Sequence, residues 1–400
     1  MTTTGQPRSG IGAFADVLRR PGVGSVTAIG MAARIPATAV GVTLTLHTVL
    51  TLGYGFGAAG LVAAAGPTGM AVGAPLLGWL VDRRGLRTVV VLTGVTTLTF
   101  WSLAPLLGYG ALLAGAFLAG VLTLPVFSLV RQVIAAVVPP GQRRPAFALD
   151  SMSVELSYMT GPALGSLLTV WLGSAVAMRV IGVGFVLAGV AFWLRNPPVR
   201  SDDAAPGGPR PPLSSWLTAP LVGALLGVTA AVVAIMGTEL AFVAALTRGG
   251  YTWAIAPVNA VWCLASLAGG FLYGAARRAV PMPLLLLVLG VATFPAAAAW
   301  SWWSLPLLLV PAGLATAPTL AAGSDAIGDL SPDGLRGLIT GLQGSATTIG
   351  IALANPLSGS LVDAFSPPVA ILVCGSVAVV LSGVTAALMR RSTGTAGRAL

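Results

Sequence analysis

Glu239 stands in the apolar run MGTELAFVAAL with no other charged residue in its segment. Burying a carboxyl without a cation penalises its charged form, so such a group can bind and release a proton as its surroundings change. It is the first candidate for proton coupling; the alternatives are a carboxyl hydrogen-bonded to a neighbouring helix or one lying at the interface. Glu155 is the second candidate, and an ion pair with Arg131 at similar depth is expected for it, which would favour its charged form. His47, the only histidine, ends the first apolar run, where it acts either as a titrating switch or as an interfacial group. Arg34 either attracts an anionic group or pairs with a carboxylate, and Asp325 either pairs with a nearby arginine or belongs to an inner gate. Each charge placed inside a lipid-spanning run costs about 2.5–3.5 kcal/mol, so each needs a partner or a wet cavity. Tyr158, Asn259, Trp262, Gln343 and Asn355 either orient a ligand in an apolar cavity or hold helices together.

Little else in the chain supports covalent chemistry. It has one His and no HExxH or GxSxG pattern, which leaves it without the machinery of a metalloprotease or serine hydrolase. No phosphate-binding GxxxxGK[ST] loop occurs, which speaks against direct nucleotide hydrolysis. Cys263 and Cys374 both fall in apolar runs without metal-ligand spacing, so they are expected to be small packing groups. The expectation is a protein that is not an enzyme and needs no metal or cofactor.

The elements that must position these groups are lipid-spanning helices. With 56% hydrophobic and 8% charged residues in 400, the chain has more apolar surface than one soluble core can bury. Only helices and closed barrels satisfy the backbone in lipid, and the apolar runs are too long for barrel strands. Cutting at clusters of Gly, Pro and Arg gives twelve spans: 26–50, 56–81, 88–107, 111–137, 148–171, 176–193, 221–246, 253–275, 284–299, 305–327, 338–361 and 369–389. The fold class expected is an all-α membrane protein of twelve transmembrane helices in two pseudo-symmetric six-helix bundles.

The net charge of +10 would suit a nucleic-acid binder if the protein were soluble, but its arginines sit in short connections between spans. Arg83, Arg84, Arg87, Arg143, Arg144, Arg195, Arg200, Arg210, Arg277, Arg278 and Arg336 fall in alternate connections, and both termini add more. The opposite side has Arg248, with Arg179 near it. The positive-inside rule therefore places both termini in the cytoplasm, in a bacterial inner membrane, with no nucleic-acid partner. Trp171, Trp253, Trp300, Trp302 and Trp303 are expected in the outer aromatic belt, and Trp193 and Trp216 in the inner one.

The Pro- and Gly-rich segment 196–216 divides the chain into a first bundle, 1–195, and a second, 217–400. The halves echo each other: GPALGS at 161–166 parallels NPLSGS at 355–360, and GWLVDRR from Gly78 parallels GFLYGAARR from Gly270. Internal duplication is thus visible in the sequence.

The stretch PLLGWLVDRRGLRTVVVL, 75–92, with Gly78, Asp82, Arg83, Gly85 and Arg87, resembles the cytoplasmic-loop signature of the major facilitator superfamily. The resemblance implies that Asp82 meets the amino-terminal end of the eleventh helix, where the macrodipole favours a carboxylate, as a latch between the halves. The second-half counterpart has Gly274 in place of the acid, so this latch is expected to be one-sided. Gly161, Pro162 and Gly165 resemble the fifth-helix motif of superfamily exporters, although Ser157 and Ser166 depart from it. The runs ALDSMSVELSYMTGP and LPVFSLVRQ resemble an actinobacterial-type branch of drug and metabolite exporters. Together these imply a monomeric secondary transporter that moves a small molecule by alternating access, as proton-coupled efflux. A uniporter, an importer, or a non-transporting sensor of the same fold remain alternatives.

Overall fold

The computed structural model describes residues 19, 22–138, 143–198, 216–275, 280–331 and 336–390, with Asp82 and several neighbours at the same helix end described by backbone alone. Most of the linker, both termini, Arg277 and Arg278 lie outside the described residues. Thirteen α-helices and no strand form among the described residues. They are α1 (Val23–Leu46), α2 (Phe56–Arg84), α3 (Leu86–Leu103), α4 (Tyr109–Val121), α5 (Val126–Val137), α6 (Arg143–Leu172), α7 (Ser174–Arg195), α8 (Ala219–Arg248), α9 (Ile255–Ala275), α10 (Met282–Thr293), α11 (Ser304–Asp329), α12 (Arg336–Ala364) and α13 (Pro367–Arg390).

Eleven of the expected spans correspond each to one helix, some prolonged by a short π- or 3₁₀-turn such as His47–Thr51 or Phe294–Ala298. The span expected over 111–137 is corrected to two helices, α4 and α5, separated at 122–125. Pro125 lacks a backbone N–H and its ring crowds the preceding turn, so the helix stops and restarts there. Gly85, at φ 80°, supplies the left-handed residue that turns α2 into α3, and its N–H closes on the Val81 carbonyl at 2.9 Å.

Among the described residues eight helices are long and apolar enough to cross a membrane, and α4 and α10 are shorter apolar helices. α6 and α12 are as long as any but less apolar, α6 because it carries Arg143, Arg144, Asp150 and Glu155 and α12 because it is rich in Ser, Thr and Gly. The reason is their place: α6 packs on α9 and α12 on α2, so these two helices face the other half of the chain as well as their own.

Helix pairing repeats between the halves. α1 packs on α6 and α7 as α8 packs on α12 and α13; α3 meets α7 as α10 meets α13; α2 meets α4 as α9 meets α11. The last pair of contacts depends on glycine: a Cβ on Gly120 would overlap the Gly66 carbonyl, and one on Gly269 the Leu314 carbonyl. On the outer faces Leu106, Leu187 and Phe271 are exposed, the surface that lipid solvates.

One end of the bundle carries Arg83, Arg84, Arg87 and Arg195 and is called here the arginine-rich end; Arg248 is at the far end. Exposed Trp171, Trp253, Trp300 and Trp303 gather at the far end, where Trp253 and Trp302 lie 4.8 Å apart. Trp193 is exposed at the arginine-rich end. Trp216, expected in a belt, is instead buried against Leu221, Ala224 and Met282, because it precedes α8 and folds into the second-half core.

Candidate substrate cavity and its charged neighbours

A cavity of about 190 Å³ lies where the halves meet. Its walls come from α1 (Thr38, Thr45), α2 (Met70), α3 (Phe100, Trp101), the α4–α5 break (Thr123, Leu124), α5 (Phe127), α6 (Tyr158, Pro162) and α7 (Phe185) in the first half. The second half contributes Met236 and Glu239 from α8 and Ile351 and Asn355 from α12. Among the described residues Glu239 is the one carboxylate lining the cavity, and none of those lining residues is Arg. It sits nine residues before the end of α8, roughly 14 Å of helix from the far end.

Tyr158 and Asn355 thus share the cavity with Glu239, whereas Asn259, Trp262 and Gln343 lie outside its lining. Asn259 donates from Nδ2 to the Tyr158 and Met159 carbonyls at 3.2 and 3.3 Å, holding α9 to α6 across the halves. Trp262 is buried beside Phe242, with ring centroids 6.3 Å apart. Gln343 donates to Ser324 Oγ at 2.6 Å, joining α12 to α11.

The fifth-span motif sets the shape of one wall. Pro162 lines the cavity, and a Cβ on Gly161 would overlap the Thr38 hydroxyl and come within 2.7 Å of the Ile35 carbonyl. Gly165 rests in the same way against Val42 and Thr43, so α6 approaches α1 along a glycine face.

Toward the arginine-rich end, Arg34 and Asp150 form an ion pair of 2.7 Å, both side chains 0% exposed. Arg34 also donates to Ser153 Oγ at 2.8 Å, and its guanidinium lies 5.2 Å from the Phe127 ring centre. Arg131 reaches the second oxygen of Asp150 at 3.2 Å while staying half exposed. The expected Arg131–Glu155 pair is therefore corrected: Asp150, one turn and a half before Glu155, takes both arginines. Glu155 lies instead beside Ser266 of α9, at the junction of the halves. Asp150 stands only two residues inside the span expected from 148, at its interfacial edge, but because α6 begins at Arg143 it lies about two turns into the helix. The cue was Arg34 itself, a buried cation that demands a carboxylate.

His47 is buried in the π-turn ending α1, and its Nδ1 is 2.8 Å from Ser174 Oγ, which also contacts Thr51 at 2.9 Å. It is held to α7 and does not line the cavity. Of the loop signature, Gly78 and Asp82 lie on α2, but their surroundings fall outside the described side chains. Arg83 stacks over Trp79 at 4.4 Å, and Arg87 donates to the Trp193 carbonyl at 3.2 Å while stacking over that ring. Asp325 is exposed in the last turns of α11, near Tyr273 of α9.

Two helical bundles enclosing an apolar cavity at their junction define a membrane transporter. The profile of the Major Facilitator Superfamily matches residues 26–294 and 260–399, and the chain belongs to that superfamily. No curated protein matches the chain. Among solved structures it is similar to a bacterial homologue of the human lysosomal transporter Spinster, in an inward-facing and occupied conformation. That match has a TM-score of 0.68 at 17% identity, covering 93% of this chain and 96% of that one. It is also similar to the nucleoside transporter NupG (TM-score 0.71, 13% identity, 92% and 99% covered). A third likeness is to a peptide transporter, POT, in complex with alafosfalin (TM-score 0.69, 15% identity, 95% and 98% covered). At these identities the likeness shows the fold.

Proposed function

We propose that the chain exports a small molecule from the cytoplasm across a bacterial inner membrane in exchange for protons, as a monomer working by alternating access. The observation that carries the reading is Glu239, among the described residues the one carboxylate lining the cavity between the halves. A carboxyl so placed can lose its proton when the cavity is wet and open to one side and regain it on the other, tying proton movement to the rocking of the bundles. The division of the chain into 1–195 and 217–400 supplies the two rocking bodies. The cargo that suits the cavity is compact and largely apolar or weakly polar, held by Phe127, Phe185 and Met236 and oriented by Tyr158 and Asn355. The efflux direction is supported by the exporter-like fifth-span motif, whose glycines seat α6 closely on α1.

Compounds that accumulate in, or become toxic to, a deletion strain identify cargo. They are then given to proteoliposomes under an imposed pH gradient. Glu239→Gln is expected to abolish gradient-driven accumulation while cargo binding persists. Wild-type proton-driven rates in that variant would sink the coupling assignment, and gradient-independent flux in the parent would indicate a uniporter.

A further inference from the structure

Among the contacts between the halves at the far end, one carboxylate bridges them through backbone donors. The first turn of α2 has no side-chain cap from its own strand of chain, with Gly55 extended at the N-cap. Its free N–H groups are instead taken by Asp363 of α12: Phe56 N–H donates to Oδ1 at 3.0 Å and Gly57 N–H to Oδ2 at 2.6 Å. A carboxylate in this position also meets the positive end of the α2 dipole. Arg248, at the end of α8, pairs with Asp363 Oδ1 at 3.1 Å, donates to the Val362 carbonyl at 2.9 Å, and lies 5.5 Å from the Phe56 ring centre.

The backbone is shaped for this contact. A Cβ on Gly55 would strike the Asp363 carboxylate, one on Gly60 the Asn355 carbonyl, and one on Gly359 the Phe56 carbonyl. Further along α12 toward the arginine-rich end, Gly341 and Gly344 meet no neighbour among the described residues. The α2–α12 seam is thus tight at the far end.

We infer that Asp363 is the latch that holds the far face closed and that Arg248 is its permanent counter-ion. Asp363 and Arg248 both belong to the second half, while the donors it grips belong to the first. When the halves part, the ion pair stays whole, so no charge is left uncompensated, and the released N–H groups of α2 pass to water at an exposed helix end. A latch built this way is reversible, which a gating contact must be. It is the inverse of the contact the loop signature implies for Asp82, with acid and helix end exchanged between halves and membrane faces. The inference rests on alternating access, not on the identity of cargo or ion.

The test is labelling of Thr45→Cys, a buried cavity position on α1, by a membrane-impermeant maleimide added to one face of oriented membranes at a time. The native thiols Cys263 and Cys374 are buried, and the parent without Thr45→Cys is the blank. Asp363→Asn is expected to raise far-face labelling about three- to tenfold, the size of a lost charge–dipole contact. Gly60→Ala, which wedges the seam without touching the charge, is expected to raise it too. Labelling unchanged by Asp363→Asn but raised by Gly60→Ala would overturn the latch and leave helix packing as what closes the face; labelling unchanged in both would overturn it as well. Ionic strength gives a second readout: high salt should raise far-face labelling in the parent and not in Asp363→Asn. If Asp363→Asn does not yield monodisperse protein, the parent's salt response decides alone, and its absence overturns the inference.

Discussion

Buried charge divides this chain into two kinds of residue. Arg34, Asp150 and Arg131 form a set that is charge-paired within the first half, with Asp150 buried between two guanidinium groups. Glu239 has no ionic partner among the described pairs and faces the cavity. The first kind resists disturbance and the second invites it. Asp150→Asn should leave the Arg34 guanidinium buried without a counter-charge, at a cost of about 3–5 kcal/mol. A thermal melt in detergent should show a clear fall in Tm, and replacing Arg34 and Asp150 together by Met and Leu should recover most of it. Glu239→Gln carries no buried counter-charge to orphan, so its Tm should stay near the parent's while proton-driven flux is lost.

At the level of elements, the cavity wall depends on two interruptions of regular packing. The Gly161 face lets α6 touch α1, and Gly161→Val should overpack against Thr38 and Ile35 by about 1–3 kcal/mol, lowering Tm and expression. The break at 122–125 places Thr123 and Leu124 on the wall where a continuous helix would turn them elsewhere. Pro125→Ala restores a backbone donor and removes a steric block. It should preserve or raise Tm and yet reduce transport of any cargo identified in the deletion strain; wild-type transport in that variant would show that the break has no part in shaping the wall.

For the molecule as a whole, sidedness follows from charge. A green fluorescent protein fused at residue 205 should fluoresce if the arginine-rich end is cytoplasmic, and an alkaline phosphatase fusion at the same site should be inactive. With that orientation, the closure at the far end by α2–α12 and α6–α9 contacts describes a transporter shut toward the outside. Among the described residues, the polar contacts across the halves include the Asn259 bonds, Glu155 beside Ser266, and the Asp363 contact with the start of α2. Apolar packing crosses the junction too, where Val42, Leu46 and Phe56 of the first half join the core of the second, while the core around Val90, Val130 and Phe192 stays within the first half.

Composition and spacing alone determined that this is a helical membrane protein with its spans close to where they stand. Runs of apolar residues near the length of a bilayer leave the backbone no other choice. Duplication was also legible, since GPALGS and NPLSGS recur at corresponding places, and Glu239 was marked by the emptiness of charge around it. Pairing was not. Which carboxylate meets Arg131 depends on helix rotation and on where α6 starts, and a shift of five residues moved the partner from Glu155 to Asp150. Asp363 escaped notice because it lies two residues beyond the end expected for its span, and its partners, Phe56 and Gly57, are more than 300 positions away. Arg248, on a face with little other positive charge than Arg179, was the hint. Local hydropathy is fixed by neighbours in sequence, whereas a capped helix end or a shared ion pair exists only once separate helices are brought side by side.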